Sequence, residues 1–398
     1  MLYTCSVFYL EKNNVMMENT SSLSFWERQT YFEGVDLLIV GAGIVGLNSA
    51  RAAQLLKPHW KIVVVDRGQI LPYGASTRNA GFACFGSMTE LLDDLKNTSE
   101  KEVFELVQKR WEGLQKLRSI VGDVNLGYEE LGGYELFTSQ EDEIWNECLS
   151  RMDDFNQQLA SISGMKNIYQ KASSEVEKFG FAGVRNLIKN IGEGQIDTGK
   201  MMKSLLSLVR NKNIEVLNGI EIKGWHQKED CLLVETGNGF SIPTQQLLIT
   251  TNAFAKQLLP DALVEPGRAQ VLITKPIPHL KVKGTFHYEK GYYYFRNVGD
   301  RILFGGGRNL DFKTENTFEF GLTSTVQDHL EKLLSTMILP NQPFEIDQRW
   351  SGIMGLGPVK SSIIKRVEER ICCAVRMGGM GVAIGTQVGE DAAHLVCD

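Results

Sequence analysis

The strongest constraint on the fold is the segment from Val35 to Gly68. An apolar run, VDLLIV, is followed by the glycine turn GAGIVG, a helical stretch, NSARAAQLLK, and a second apolar run, KIVVV, that ends at Asp66. Continuous apolar runs predict strands that are buried on both faces. Strand, turn, helix and strand in this order are typical of a βαβ unit, so we expect an α/β fold with a Rossmann-like nucleotide-binding domain.

The turn has the spacing GxGxxG and contributes Gly41, Gly43, Ile44, Val45 and Gly46. The first glycine permits the tight turn, the second lets a pyrophosphate approach the backbone, and the third lets the helix pack closely on the strand. The start of the helix offers free N–H groups to phosphates. Asp66 follows about twenty residues later, where its carboxylate can accept hydrogen bonds from ribose hydroxyls. These features predict a bound adenine dinucleotide but do not separate FAD from NAD.

Two further glycine-rich segments favour a flavin. GASTRNAGF, residues 74–82, follows the second strand, and GGMGVAIG, residues 378–385, opens a final helix. Small residues let the first segment lie against a cofactor, while its polar side chains offer hydrogen bonds. The N–H groups at the start of the final helix would face the flavin pyrimidine edge, where negative charge gathers on reduction. The sequence has no second GxGxxG unit, which argues against a pyridine-nucleotide reductase with two such domains.

With these motifs the sequence resembles the D-amino acid oxidase superfamily, in particular its glycine oxidase, sarcosine oxidase and γ-glutamylputrescine oxidase-like branch. The resemblance spans about residues 35–395. It rests on GAGIVGLNSA with Asp66, GASTRNAGF, EGQID (193–197), LLITTNAFA (247–255), EPGRAQVLIT (265–274), YYYFR (292–296), RWSGIMG (349–355) and GGMGV. It implies FAD, bound covalently or non-covalently, and a small amine or amino-acid substrate that transfers hydride to flavin N5. It further implies hydrolysis of the resulting imine and reoxidation by oxygen or another electron acceptor.

The residues expected to bind the cofactor come from these motifs and from the strand IEIKGW, whose Ile222 the resemblance places at the adenine end. They are Gly41, Gly43, Ile44, Val45, Gly46, Asp66, Arg67, Ser76, Thr77, Arg78, Asn79, Ala80, Gly81, Ile222, Thr251, Gly352, Met354, Gly378, Gly379, Met380, Gly381 and Val382.

For the substrate, we predict Tyr293, Arg296 and Arg376 as catalytic residues. Tyr292, Tyr293 and Tyr294 alternate faces on a strand, so one or two of them should point into the pocket. Arg296 and Arg376 could clamp a substrate carboxylate through paired N–H groups.

The sequence also departs from the enzymes that it resembles. Met354 stands where glycine oxidases carry an arginine for the substrate carboxylate, and Leu303 stands near the position of a lysine that helps oxygen react in sarcosine oxidases. The flavin-linking cysteine of that branch is not evident. The substrate therefore need not be a simple α-amino acid, and fast reaction with oxygen is not expected.

Charge and composition limit the other function classes. The formal net charge of -6 argues against a nucleic-acid partner, and with it against a tRNA-modifying flavoprotein, which is one alternative. A flavin-binding protein without amine turnover is the other alternative. The seven cysteines and six histidines lack metal-ligand spacing, so no metal is expected. No run approaches the roughly 20 apolar residues of a membrane span, and scattered cysteines suit a reducing cytoplasm.

The chain should divide into two domains after a short extension. We expect an N-terminal extension at 1–34, a discontinuous FAD-binding domain at 35–88, 165–262 and 345–398, and a substrate domain at 89–164 and 263–344. The inserts mix helical and β-rich stretches, so the second domain should be α+β and built on an antiparallel sheet.

Overall fold

The computed structural model describes residues 23–212 and 214–398, so the predictions for the first 22 residues lie outside the described part. The α-helices are α1 (Phe25–Glu27), α2 (Ile44–Leu56), α3 (Met88–Asp94), α4 (Glu100–Val121), α5 (Asp123–Leu126), α6 (Asp142–Ser163), α7 (Val176–Phe179), α8 (Thr198–Arg210), α9 (Phe312–Glu315), α10 (Ser324–Leu333) and α11 (Gly381–Cys397).

The strands form two large sheets and one small pair. They are β1 (Val35–Val40), β2 (Ile62–Asp66), β3 (Phe82–Ala83), β4 (Gly133–Thr138), β5 (Tyr169–Lys171), β6 (Val184–Asn190), β7 (Gly194–Gln195), β8 (Glu215–Asn218), β9 (Ile222–Gln227), β10 (Leu232–Thr236), β11 (Ser241–Ile249), β12 (Glu265–Thr274), β13 (Thr285–Tyr288), β14 (Tyr293–Val298), β15 (Arg301–Gly306), β16 (Ile346–Leu356), β17 (Ile363–Glu368) and β18 (Ile371–Val375). The mixed α/β fold agrees with the predicted class.

The first sheet contains the predicted βαβ unit. Its order is β17-β18-β11-β1-β2-β8, with β10 on β11 and β9 on β10, and β1 pairs in parallel with both β11 and β2. Leu37 and Ile39 pack on one face against α2 and α11, while Leu38 and Val40 pack on the other face. Burial on both faces explains the continuous apolar run of β1.

The second sheet has the order β16-β12-β15-β14-β13-β4-β6-β5 and is antiparallel except for the β13–β4 pair. This sheet includes three strands that the predicted boundaries assign to the FAD-binding domain. They are β5, β6 and β16, which pair here rather than in the first sheet. Strand β6 is hydrogen-bonded to β4. Strand β16 is antiparallel to β12, from the pair Glu265 and Leu356 to the pair Thr274 and Ile346. Local hydrophobic patterns predict strands but do not encode which sheet a strand joins.

Helices tie the two parts of the molecule together. Helix α4, which lies in the predicted substrate domain, packs on α11, where a Cβ on Gly113 would come within 2.3 Å of the Ala383 carbonyl oxygen. The described end of the predicted N-terminal extension also packs on the first sheet, with the Phe32 and Phe240 rings 5.0 Å apart. Among the described residues, no helix is both long and apolar enough to cross a membrane.

Candidate active site

A single cavity of ≈ 820 Å³ extends from the carboxyl ends of β1 and β2 to the face of the second sheet. Gly41 and Asp66 lie at one end of it, and Tyr294 and Arg308 lie at the other. A crevice outside the carboxyl ends of parallel strands is the usual ligand site of an open α/β sheet. The cavity therefore joins the predicted nucleotide site to a second region that lies on the other sheet.

Asp66 organises the nucleotide end. One oxygen, Oδ2, accepts the Ala42 N–H of the glycine turn at 2.9 Å, and the other, Oδ1, accepts the N–H groups of Gly68 and Tyr73 at 2.8 Å each. The carboxylate is buried, with 8% of the residue surface exposed. Asp66 thus fixes the positions of two loops in addition to lining the cavity.

The glycine turn is packed tightly against the end of β11. Gly41 has a φ of +107°, which a residue with a side chain rarely adopts. A Cβ on Gly46 would lie 1.9 Å from the Gly41 carbonyl oxygen and 2.7 Å from Thr250 Oγ1. Gly46 therefore brings α2 against the turn and does not itself line the cavity, which corrects its place among the cofactor-contacting residues.

The segment at residues 74–82 covers the start of α2. Ser76 Oγ accepts the first N–H of the helix, from Ile44, at 3.0 Å. Asn79 Oδ1 accepts the Gly81 N–H at 2.8 Å and the Thr198 hydroxyl at 2.9 Å, which holds the segment in a turn. Thr77 points away from the cavity, with its hydroxyl donating to backbone carbonyls, and lines a second cavity instead. The prediction of Thr77 as a cofactor contact is corrected accordingly.

The turn before α11 closes the cavity from the other side. Asn252 Oδ1 accepts the N–H groups of Arg376 and Met377 at 3.1 and 3.2 Å, which ties this turn to the end of β11. Helix α11 then packs on α2, where a Cβ on Gly385 would lie 2.7 Å from Ile44 Cγ2. The final helix consequently begins at the same cavity as the glycine turn.

The structure brings most of the predicted cofactor residues together. Those that line the cavity are Gly41, Gly43, Ile44, Val45, Asp66, Arg67, Ser76, Arg78, Asn79, Ala80, Gly81, Ile222, Thr251, Gly352, Met354, Gly378, Gly379, Met380, Gly381 and Val382. Thr251 Oγ1 is buried there without a hydrogen-bond partner among the described residues, so it is available to a ligand.

Tyr293 does not face the cavity. It is 1% exposed and stacks on His329 in the core of the second part, at 5.4 Å between ring centroids. Its neighbours Tyr292 and Tyr294 line the cavity instead. The alternation along β14 was expected. The selection of Tyr293 was wrong, because this residue lies on the face of β14 that packs into the core.

Neither predicted arginine clamp reaches the cavity. The Arg296 guanidinium donates to the backbone carbonyls of Ala80, Ile196 and Asn297, so it supports the 74–82 segment from behind. Burial lowers the pKa of Arg296 to about 10.

Arg376 is likewise turned away. It has a φ of +67°, and its guanidinium donates to the carbonyls of Ser361 and Leu263 at 2.8 and 2.9 Å. Each guanidinium nitrogen of both arginines already donates a hydrogen bond within the protein and neither residue lines the cavity, so the prediction of them as catalytic residues is corrected.

The end of the cavity on the second sheet carries charged groups that are already paired. Lys360 Nζ lies 3.0 Å from Glu90 and 2.7 Å from Asp94, and Lys290 Nζ lies 3.0 Å from Asp93. Burial opposes ionisation of Glu90, but the charges of Arg110 and Lys360 outweigh it and lower the pKa of Glu90 to about 2. Glu90 therefore stays charged at neutral pH, and its negative charge is matched within the protein.

Arg308 differs from these cations. Its guanidinium donates to the amide oxygen of Asn316 and lies over the Phe312 ring at 4.8 Å. Its Nε is buried without a hydrogen-bond partner among the described residues. The nearby Glu315 is engaged by Arg268 through both carboxylate oxygens, at 2.8 and 2.9 Å. Arg308 is thus a half-buried cation in the cavity wall whose described contacts are with neutral groups.

Several cavity residues were missed by the sequence analysis. They are Glu90, Asn252, His287, Lys290, Arg308 and Lys360. Each stands on a different loop or strand from the fingerprint motifs, and no local spacing marks them. Asn252 alone lay within a motif used for the resemblance, LLITTNAFA.

The fold and this cavity together define a dinucleotide-binding oxidoreductase of the two-sheet kind. The sequence matches the DAO family, described as FAD dependent oxidoreductase, over residues 36–395, and the chain belongs to that family. The cofactor is therefore FAD, and the glycine turn, Asp66 and the free Thr251 hydroxyl fit its adenosine diphosphate portion. Among curated proteins, none matches the sequence significantly.

Solved structures share the fold at low sequence identity. L-proline dehydrogenase from P. horikoshii is 18% identical with a TM-score of 0.70, over 92% of this chain and 93% of that chain. Glycine oxidase from Geobacillus kaustophilus is 19% identical with a TM-score of 0.70, over 91% and 94%. L-amino acid deaminase from Proteus vulgaris is 16% identical with a TM-score of 0.68, over 92% and 94%.

Proposed function

We propose that this FAD-dependent oxidoreductase oxidises the C–N bond of a small amino acid or amine, with an imine product that water hydrolyses. The observation that carries the proposal is one continuous cavity, which holds the nucleotide cradle at one end and a polar region with an available cation at the other. When bound, FAD supplies the hydride acceptor for this chemistry, and the protein supplies binding and orientation. The solved structures with this fold include enzymes named for amino-acid substrates, which supports the same substrate class.

Arg308 is the residue that we assign to the substrate carboxylate. Lys290 and Lys360 are neutralised by their acidic partners, whereas Arg308 lines the same cavity and forms no salt bridge with a described residue. A guanidinium matches a carboxylate geometrically and stays charged across the physiological range. This assignment replaces the clamp expected at Arg296 and Arg376.

Tyr292 and Tyr294 are proposed to line the substrate path. Burial raises the pKa of Tyr294 to about 12, so its hydroxyl stays neutral and can donate a hydrogen bond. Tyr292 is 42% exposed and contacts Phe312, the ring that supports Arg308, at 6.1 Å between centroids. Tyr292 therefore lies at the mouth of the cavity beside the proposed carboxylate site.

The proposal predicts that an added substrate reduces the flavin directly. Purified protein should be yellow, and anaerobic addition of the right amino acid or secondary amine should bleach the flavin absorbance. A panel of amino acids, N-substituted amines and polyamine conjugates tests this with spectroscopy alone. If no member of the panel bleaches the flavin, the proposal fails and a flavin-binding protein without turnover is the better description.

Replacing the proposed carboxylate ligand should separate two kinds of substrate. We expect Arg308→Gln to raise the KM for an amino acid by about tenfold or more, since a hydrogen bond between charged groups is worth roughly 1.5–3 kcal/mol and Arg308 is only half-buried. The amine that lacks the carboxylate should be oxidised with nearly unchanged KM. Steady-state kinetics with such a matched pair of substrates measures the difference.

The control is Arg301→Gln at the start of β15, the strand that ends just before Arg308. Arg301 lies outside the cavity wall and bonds Asp347 and the Thr274 carbonyl, so its replacement should not discriminate between the two substrates. If Arg308→Gln raises the KM for the amino acid and for the amine by the same factor, Arg308 does not bind the substrate carboxylate.

The remaining partners are predictions of the same kind. We propose that oxygen or another electron acceptor reoxidises the flavin. We also propose that the protein binds no nucleic acid and is located in the cytoplasm. The six cysteines of the described residues are free thiols, as expected in a reducing compartment.

A further inference from the structure

Three side chains with metal-binding atoms meet in the wall of the cavity. The ligand atoms of Cys84, Glu193 and His287 all lie within 4.8 Å of one another. Cys84 and His287 line the cavity, and Glu193 lies behind them with 1% of its surface exposed. We propose that these residues form a binding site for Zn²⁺ or a divalent ion of the same class, independent of the amine-oxidation proposal.

Strand pairing positions the three residues. Strand β3 pairs with β7 so that Ala83 is opposite Gly194, and Cys84 and Glu193 are the residues that directly adjoin this pair in the chain. His287 is on β13 on the same face as Thr285, whose hydroxyl lies 3.8 Å from Cys84 Sγ. His287 is therefore held by a strand, and Cys84 and Glu193 are each held next to the end of one, where side chains are placed more precisely than in a long loop.

The carboxylate is already oriented by the backbone. Glu193 Oε1 accepts the N–H groups of Phe85 and Gly86 at 3.1 and 3.2 Å. Such outer contacts fix the direction of a metal-binding carboxylate. His287 Nε2, in contrast, is buried without a hydrogen-bond partner among the described residues, so this nitrogen is available for a ligand.

The donor set and its charge suit zinc. Thiolate sulphur, imidazole nitrogen and carboxylate oxygen are its common ligands, and tetrahedral bonds of about 2.0–2.3 Å require the three atoms to approach one another by at most about 1.5 Å. A dication bound by one thiolate, one carboxylate and a neutral imidazole leaves no net charge in this buried place. On binding, the Cys84 thiol gives its proton to solvent as the metal–sulphur bond forms.

The fourth coordination position would face the cavity. Three protein ligands with one open position are typical of zinc sites that bind water or a small ligand. The His287 ring also contacts Phe82, at 5.2 Å between centroids, which lies in the same cavity wall. An ion at this site would therefore be reached through the cavity.

The test is zinc binding to the flavin-loaded protein after treatment with a chelator. Competition with a chromophoric chelator should show one tight site per chain in the wild type. Cys84→Ser and His287→Ala should each weaken that site by about 100-fold or more, because changing even an outer contact costs 10–100-fold. Cobalt(II) gives a second readout, since its thiolate charge-transfer absorption should be lost in Cys84→Ser.

Cys231→Ser and His226→Ala are the matched controls. Both positions lie outside the cluster, on the surface near β9 and β10, and their variants should bind zinc as the wild type does. Variants are compared only if they retain flavin and the wild-type circular dichroism, and the nearly isosteric Cys84→Ser carries the test if His287→Ala does not fold. Wild-type affinity no tighter than that of Cys84→Ser would overturn the proposal.

Discussion

Gly46→Ala should give a colourless and strongly destabilised protein. The added Cβ would lie 1.9 Å from the Gly41 carbonyl oxygen, which is a backbone atom and cannot rotate away. Overpacking typically costs about 1–3 kcal/mol, and a contact this short with the backbone should reach or exceed the upper value. Helix α2 must move away from the turn, and the N–H groups at its start then lose their place beside the cofactor.

Flavin content after purification and the denaturation midpoint measure this effect. Gly224→Ala in β9 of the first sheet is the matched control, because the nearest atom to its new Cβ is 3.9 Å away. We expect the control to retain flavin with a change in the free energy of unfolding below about 1 kcal/mol. Full flavin content in Gly46→Ala would show that α2 does not depend on close contact with the turn.

Asp66→Asn should also remove the flavin, although the two side chains have nearly the same shape. Both carboxylate oxygens accept backbone N–H groups, so the amide nitrogen of the replacement must face a donor wherever it is placed. Loss of a hydrogen bond to a charged acceptor and a buried donor left unpaired cost about 3 kcal/mol together. That corresponds to roughly a 100-fold loss of FAD affinity if the loops must be ordered for binding.

Asp36→Asn provides the same chemical change where it should be harmless. Asp36 is on β1, the strand paired with β2, and uses one oxygen, which accepts the Lys61 N–H at 2.7 Å, so the replacement keeps its acceptor. Titration of each flavin-free variant with FAD, followed by fluorescence, compares the two. Equal affinity for FAD in both variants would mean that FAD binding does not require Asp66 to hold the two loops that donate to its carboxylate.

The sequence by itself determined the nucleotide half of the site. The apolar runs of β1 and β2, the glycine spacing and Asp66 belong to one contiguous unit, and each follows from local physical requirements of burial, turn geometry and helix start. The two other glycine-rich segments also line the cavity. Ser76 holds the first segment against the start of α2, and Gly385 lets the final helix pack on Ile44. Short-range spacing is sufficient where one supersecondary unit forms most of a site.

Only the tertiary structure decided the other half. The register of β14 buried Tyr293 and left Tyr292 and Tyr294 at the cavity, and acceptors that include the distant carbonyls of Ile196 and Leu263 engaged Arg296 and Arg376. The role proposed for Arg308 depends on Arg268, which engages Glu315 and so leaves Arg308 without that acidic partner.

The Cys84, Glu193 and His287 cluster arises in the same way, since its members stand far apart in the sequence and meet where the β3–β7 pair lies beside β13. These contacts depend on long-range packing, which no local pattern of residues encodes.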